Sequence, residues 1–118
     1  MFKKLYRDWF IKEHRKMWSW ISKETMIRKE KVLKEDYIKI LPLWKRLITK
    51  LHHDCFMCAY TKGKCGYCPL IWCEDDEDGG LCIYVNSIFS LWFDEKDWNK
   101  AAFYAQEIAD LPIRTDLV

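Results

Sequence analysis

A mainly α-helical domain, small and stapled by a four-cysteine zinc knuckle, is the fold class this sequence predicts, and three observations predict it. Apolar residues recur at helical spacing over most of the chain, and the strand signal is weak. Two C-x2-C pairs stand six residues apart in the stretch CFMCAYTKGKCGYC, residues 55–68. Each such pair brings two thiolates within reach of one tetrahedral ion, and two pairs complete a four-sulfur site. At 118 residues the chain is expected to form a single domain. It divides into a basic helical half (1–54), a metal knuckle with an acidic loop (55–82) and C-terminal helices (83–118).

The first helix is expected from about Phe2 to Lys23. Phe2, Leu5, Tyr6, Trp9, Phe10, Met17, Trp20 and Ile21 mark its apolar stripe, and Lys3, Arg7, Lys12, Arg15 and Lys16 mark the opposite face. Trp18 falls partly off the stripe and is expected at an edge or a contact, while His14 belongs to the charged face. Residues 23–36 are charge-dense and read as a helix turn or connector anchored by Val32 and Leu33. Asp36 reads as the N-cap of a second helix through Tyr37, Ile38, Ile40 and Leu41. Pro42 kinks or restarts it, and Leu43, Trp44, Leu47, Ile48 and Leu51 continue the stripe toward the cysteines.

Within the knuckle, Cys55, Cys58, Cys65 and Cys68 are the expected metal ligands. Cys82 is an alternative to Cys65, and Cys73 reads as a buried thiol. Gly63 and Gly66 permit the positive-φ turns of such a knuckle, and Pro69 stops any helix there. Zinc suits four thiolates, and its binding contributes folding energy. An iron–sulfur cluster is the chemical rival: Cys68-Pro69 matches the end of a ferredoxin motif, but the preceding spacing does not. The first three cysteines also fit a fungal two-zinc cluster, which the early fourth cysteine excludes.

After the knuckle, Leu70, Ile71 and Trp72 are expected to pack over it. Glu74 to Asp78, followed by Gly79-Gly80, read as a solvated acidic loop that lacks the alternation of a calcium-binding EF-hand. Leu81, Tyr84, Val85, Ile88, Leu91 and Trp92 have helical spacing. Asp94 reads as the N-cap of a last helix with Asp97 at N3, and Trp98, Ala102, Ala105, Ile108 and Ala109 mark its packing face. Leu111-Pro112 ends it.

Composition narrows the function classes. Half of the residues are hydrophobic and seven are Trp, which argues against intrinsic disorder and leaves rings for either the core or a partner surface. The formal charge of +2 hides a polarity: residues 1–50 hold fifteen Lys/Arg against six Asp/Glu, and residues 51–118 hold five against twelve. The two halves either attract each other within the fold or face partners of opposite charge. No apolar run reaches the roughly 18 residues of a membrane span, and no signal-peptide pattern is present. The expectation is therefore a cytoplasmic protein without membrane contact, in a reducing compartment where cysteines favour metal over disulfides.

Catalysis has one candidate seat, His52-His53-Asp54 beside Cys55, which reads instead as a capped helix C-terminus. A zinc held by four thiolates has no open position for water, and no phosphate loop, nucleophile triad or carboxylate pair is present. The chain is not expected to be an enzyme.

The segments MWSWI (17–21), KEDY (34–37), CFMCAY (55–60), CGYCPLIW (65–72) and EIADLPIR (107–114) carry a resemblance. With them the chain resembles a family of small cysteine-rich proteins encoded by bacteriophages and prophages. That family carries no assigned catalytic activity. It has a further cysteine after the CPLIW segment, which Cys82 matches, and Cys73 departs from the pattern, so the choice of four sulfurs stays open. The resemblance implies a phage-encoded protein that acts by binding in the host cytosol, where it engages and inhibits a host or defence-system protein. In that role the acidic loop could imitate nucleic-acid phosphates. The competing expectation is a zinc-containing nucleic-acid-binding module that uses Lys12, Arg15 and Lys16 of the first helix.

Overall fold

The computed structural model describes residues 2–49, 70 and 87–113. Five helices lie among them: α1 (Phe2–Arg28), α2 (Lys34–Ile40), α3 (Leu43–Thr49), α4 (Ile88–Asp94) and α5 (Trp98–Ala109). The mainly helical class is as expected, and among the described residues the extended pairing is a lone antiparallel bridge between Leu70 and Ile113. None of the described helices is long and apolar enough to cross a membrane. The cysteines, the His52-His53-Asp54 triplet, the acidic loop 74–78 and residues 81–86 lie outside the described residues, so the expectations placed on them stand as proposals.

α1 is the spine. It runs 27 residues, about one turn beyond the Lys23 expected. Its charge-dense end (Glu24, Arg28) sustains the helix through an i,i+4 ion pair of 3.0 Å. The turn ends at Lys29, whose φ of 56° places it in the left-handed region that normally favours glycine. Its N–H bonds the Thr25 carbonyl at 2.9 Å. Lys29→Gly is therefore expected to raise stability by about 0.5–1 kcal/mol in urea denaturation, because glycine meets no Cβ penalty there.

α5 packs antiparallel along α1, as two hydrogen bonds show: His14 reaches Ile108 and, two turns further along α1, Ser22 reaches Ala102. Ala101, Ala102, Ala105 and Ala109 are all buried on that face, and their small side chains let the two backbones approach. The core that results joins Phe10, Ile11, Met17, Trp18 and Ile21 of α1 to Tyr37 and Ile38 of α2, Trp92 of α4 and Ile108 of α5. Leu70 is buried in the same cluster. Trp18 is neither the edge residue nor the surface contact that its wheel position suggested. It is fully buried, with its ring edge-on to Trp92 at 4.8 Å between centroids and to Phe89 at 6.2 Å.

Helix starts moved by a few residues from their expected places. Asp36 is not an N-cap but the third residue of α2, where its carboxylate accepts from the Leu33 N–H at 3.0 Å. Asp97, not Asp94, caps α5 and accepts from the Asn99 N–H, while Asp94 is the last residue of α4. Ser87 caps α4 through the Ser90 N–H. Pro42 separates α2 from α3 as expected, and its carbonyl accepts the first amide bonds of α3. In each case the chain placed an oxygen near an N-terminus, and the register depended on which neighbour the helix met.

Candidate functional site

Beneath the surface, the basic half spends its polar groups on the acidic half. The last carbonyls of a helix lack partners within it and carry the negative end of its dipole. At the C-terminal end of α5, the buried His14 donates Nε2–H to the Ile108 carbonyl at 3.1 Å, and Arg15 Nη2 donates to the Leu111 carbonyl at 3.1 Å. At the C-terminal end of α4, Lys31 Nζ donates to the carbonyls of Trp92, Phe93 and Glu95 at 2.6, 2.9 and 3.0 Å. Two cations of the basic half, Arg15 and Lys31, are thus used within the fold, on backbone carbonyls of the acidic half rather than on its carboxylates. His14, expected on the charged face, is fully buried because α1 meets neighbours around more of its circumference than the apolar stripe alone suggested.

Burial lowers the His14 pKa from 6.5 to about 4, opposed by the bond to Ile108 and assisted by the charge of Arg15. The unfolded chain therefore takes up a proton near pH 6.5 that the folded chain refuses until about pH 4. Stability contributed by the neutral imidazole is present above pH 6.5 and is lost as the pH falls toward 4. We expect a loss of about 3 kcal/mol over that window, with His14→Gln showing a flatter profile in urea titrations at each pH.

Glu13 is a second buried titratable group, and Lys45 of α3 meets both of its carboxylate oxygens, at 3.0 and 3.1 Å. Tyr37 lies beside this pair; burial pushes its phenol above the usual tyrosine range, and the Glu13 charge adds to the shift. The pair ties α3 to α1, a structural use for both charges.

The surface is where a partner would meet the chain. On α5, Phe103 is 61% exposed, opposite the buried alanines, with Asn99, Lys100, Glu107 and Asp110 on the same arc. Tyr104 packs edge-on to it at 6.0 Å, and the two rings line a shallow depression with Asp97, Asn99 and Lys100. Phe93 and Leu91 of α4 are exposed, as are Ile40, Leu43 and Trp44 around the α2–α3 break. The last three, expected on the packing stripe, are exposed: Ile40 stands about 200° around α2 from the buried Ile38, and Leu43 and Trp44 open a new helix after Pro42. Leu5 and Tyr6 are likewise exposed. The signal for Phe103 was available: it is an aromatic residue on an otherwise polar helical arc.

Of the basic residues expected to contact nucleic acid, Arg15 is engaged with Leu111, whereas Lys12 is exposed and the Lys16 side chain is 55% exposed. The expected metal ligands Cys55, Cys58, Cys65 and Cys68 fall outside the described residues, and among those residues no three His, Cys, Asp or Glu side chains converge as a metal site. No family model, curated protein or solved structure matches this chain.

Proposed function

We propose that this chain is a non-catalytic binding protein that engages another protein. In the phage setting its resemblance implies, that protein belongs to the host or its defence system, and the contact inhibits it. Zinc on Cys55, Cys58, Cys65 and Cys68 serves as a structural staple in this reading, with a tetrathiolate donor set that suits that ion and offers no reactive position. The observation that carries the proposal is the surface inventory. Phe103, Phe93, Leu91 and Trp44 stand exposed, while Arg15, Lys31 and Lys45 are drawn into internal contacts. Exposed aromatic anchors with a polar rim are the composition of protein-binding surfaces.

A zinc-containing nucleic-acid-binding module is the second reading, and the exposed Lys12 and Lys16 favour it. One experiment separates them. Tagged chain is used to capture partners from bacterial lysate with and without nuclease, and the zinc content of the same preparation is measured. The protein-binding reading expects one dominant, nuclease-resistant partner, lost on Phe103→Ala or on neutralising Glu74 to Asp78. Nuclease-sensitive recovery, lost on removing Lys12 and Lys16, would overturn it in favour of nucleic acid. The Cys58→Ser variant should lose the zinc, and iron with visible absorption in the parent chain would replace zinc with a cluster.

A further inference from the structure

The C-terminal end of α4 forms a small receptor. The carbonyl oxygens of Trp92, Phe93 and Glu95 converge to within 2.6, 2.9 and 3.0 Å of one point, and the face of the Trp92 ring lies 4.5 Å from it. The indole is 2% exposed and held edge-on by Trp18, so this wall is rigid. Asp94 and Glu95 add negative potential, which opposes the effect of burial on the group seated there. Three acceptors match the three N–H donors of a primary ammonium, and the ring face matches its charge. A quaternary ammonium has no donors to offer, and a planar guanidinium presents its donors in a flat fork.

We propose that this carbonyl–aromatic cage is a binding site for a primary alkylammonium group, filled by the chain's own Lys31, and that the seated ammonium is a latch holding α4 in place. The two ends of the latch are both visible. On one side Val32 is 1% exposed and donates its N–H to Thr25 Oγ1 at 3.1 Å, which fixes the connector to α1. On the other side Lys31 spans to α4, and Lys34 sets its ammonium over the Phe89 ring at 4.9 Å. α4 has only seven residues, too few to hold a helix in water on its own. With the latch open, the Phe93 and Glu95 carbonyls lose the Lys31 donor, the Trp92 carbonyl keeps the Glu95 N–H at 3.2 Å, and α4 becomes the element that opens first.

The test uses the full chain and Lys31→Ala, with n-propylammonium chloride as the probe, since it restores the missing carbons and the ammonium. Amide hydrogen exchange in α4 should accelerate roughly tenfold or more in the variant, as expected for losing charge-assisted hydrogen bonds, with α5 much less affected. Propylammonium should reverse the acceleration in the variant and leave the parent chain unchanged. Unchanged α4 exchange in the variant would overturn the latch. Equal reversal by propanol, tetramethylammonium or potassium chloride at matched ionic strength would overturn the ammonium site. Should Lys31→Ala fail to fold, the parent chain decides: the Lys31 ammonium protons should exchange with water slowly enough to give a resolved proton–nitrogen correlation, unlike those of exposed Lys12. Their absence would overturn the proposal.

Discussion

Trp18→Ala is expected to cost about 3–5 kcal/mol, the range for emptying a fully buried aromatic site. Folded domains of this kind are stable by only about 5–15 kcal/mol, so the variant stands near the edge of folding. Trp18 sits where α1 meets α4, and its ring closes on both Trp92 and Phe89. The neighbouring α5 face is mostly alanine, whose side chains are too short to fill the space left behind. The indole Nε1 has no hydrogen-bond partner among the described residues. Trp18→Phe, which sacrifices no hydrogen bond and keeps a ring, should therefore cost clearly less. Urea denaturation of the two variants checks the order. Equal, small losses would mean that Trp18 lies at an edge after all.

Lys45→Met is expected to be nearly as damaging, at about 3–5 kcal/mol, for an electrostatic reason. The substitution keeps the aliphatic stem but strands the Glu13 carboxylate, which is 3% exposed. Among the described residues, only Lys16 at 3.8 Å then stays as its ionic neighbour. Removing both charges should behave differently. In the double variant Glu13→Leu with Lys45→Met neither charge of the pair stays buried, and most of the lost stability should return. A double-mutant cycle by denaturation at neutral pH measures this. If the double variant were as unstable as the sum of the singles, the pair would matter through packing rather than charge.

What could be read in advance followed the physics of single helices. The 3.6-residue period located α1 and α5, and Pro42 located the break between α2 and α3, because these features act within one segment. Position across segments was less legible. His14, Glu13 and Thr25 are polar, so a helical wheel places them outward, yet each is buried beside a group on another element that satisfies it. Leu43 and Trp44 are apolar, so the same wheel places them inward, yet they lie exposed. Lys31 sits in a charge-dense connector, and nothing in its neighbours reveals that it caps a helix 61 residues away. As for the candidate site, the polarity of charge was plain from composition, whereas its partial internal use depended on which carbonyls the fold brings to the basic helix.

The antiparallel union of α1 and α5 also governs when the protein can fold as it is made. His14 must wait for Ile108, 94 residues later, and Arg15 waits 96 residues for Leu111. At the usual pace of translation this is an interval on the order of 5–20 s. During it α1 is already outside the ribosome without the surface it will cover. Met17, Trp18 and Ile21, all buried in the finished fold, meet water or a chaperone until α5 arrives. Folding is thus gated by the emergence of α5: a ribosome that stalls before that point holds a chain whose most apolar face has no place to go.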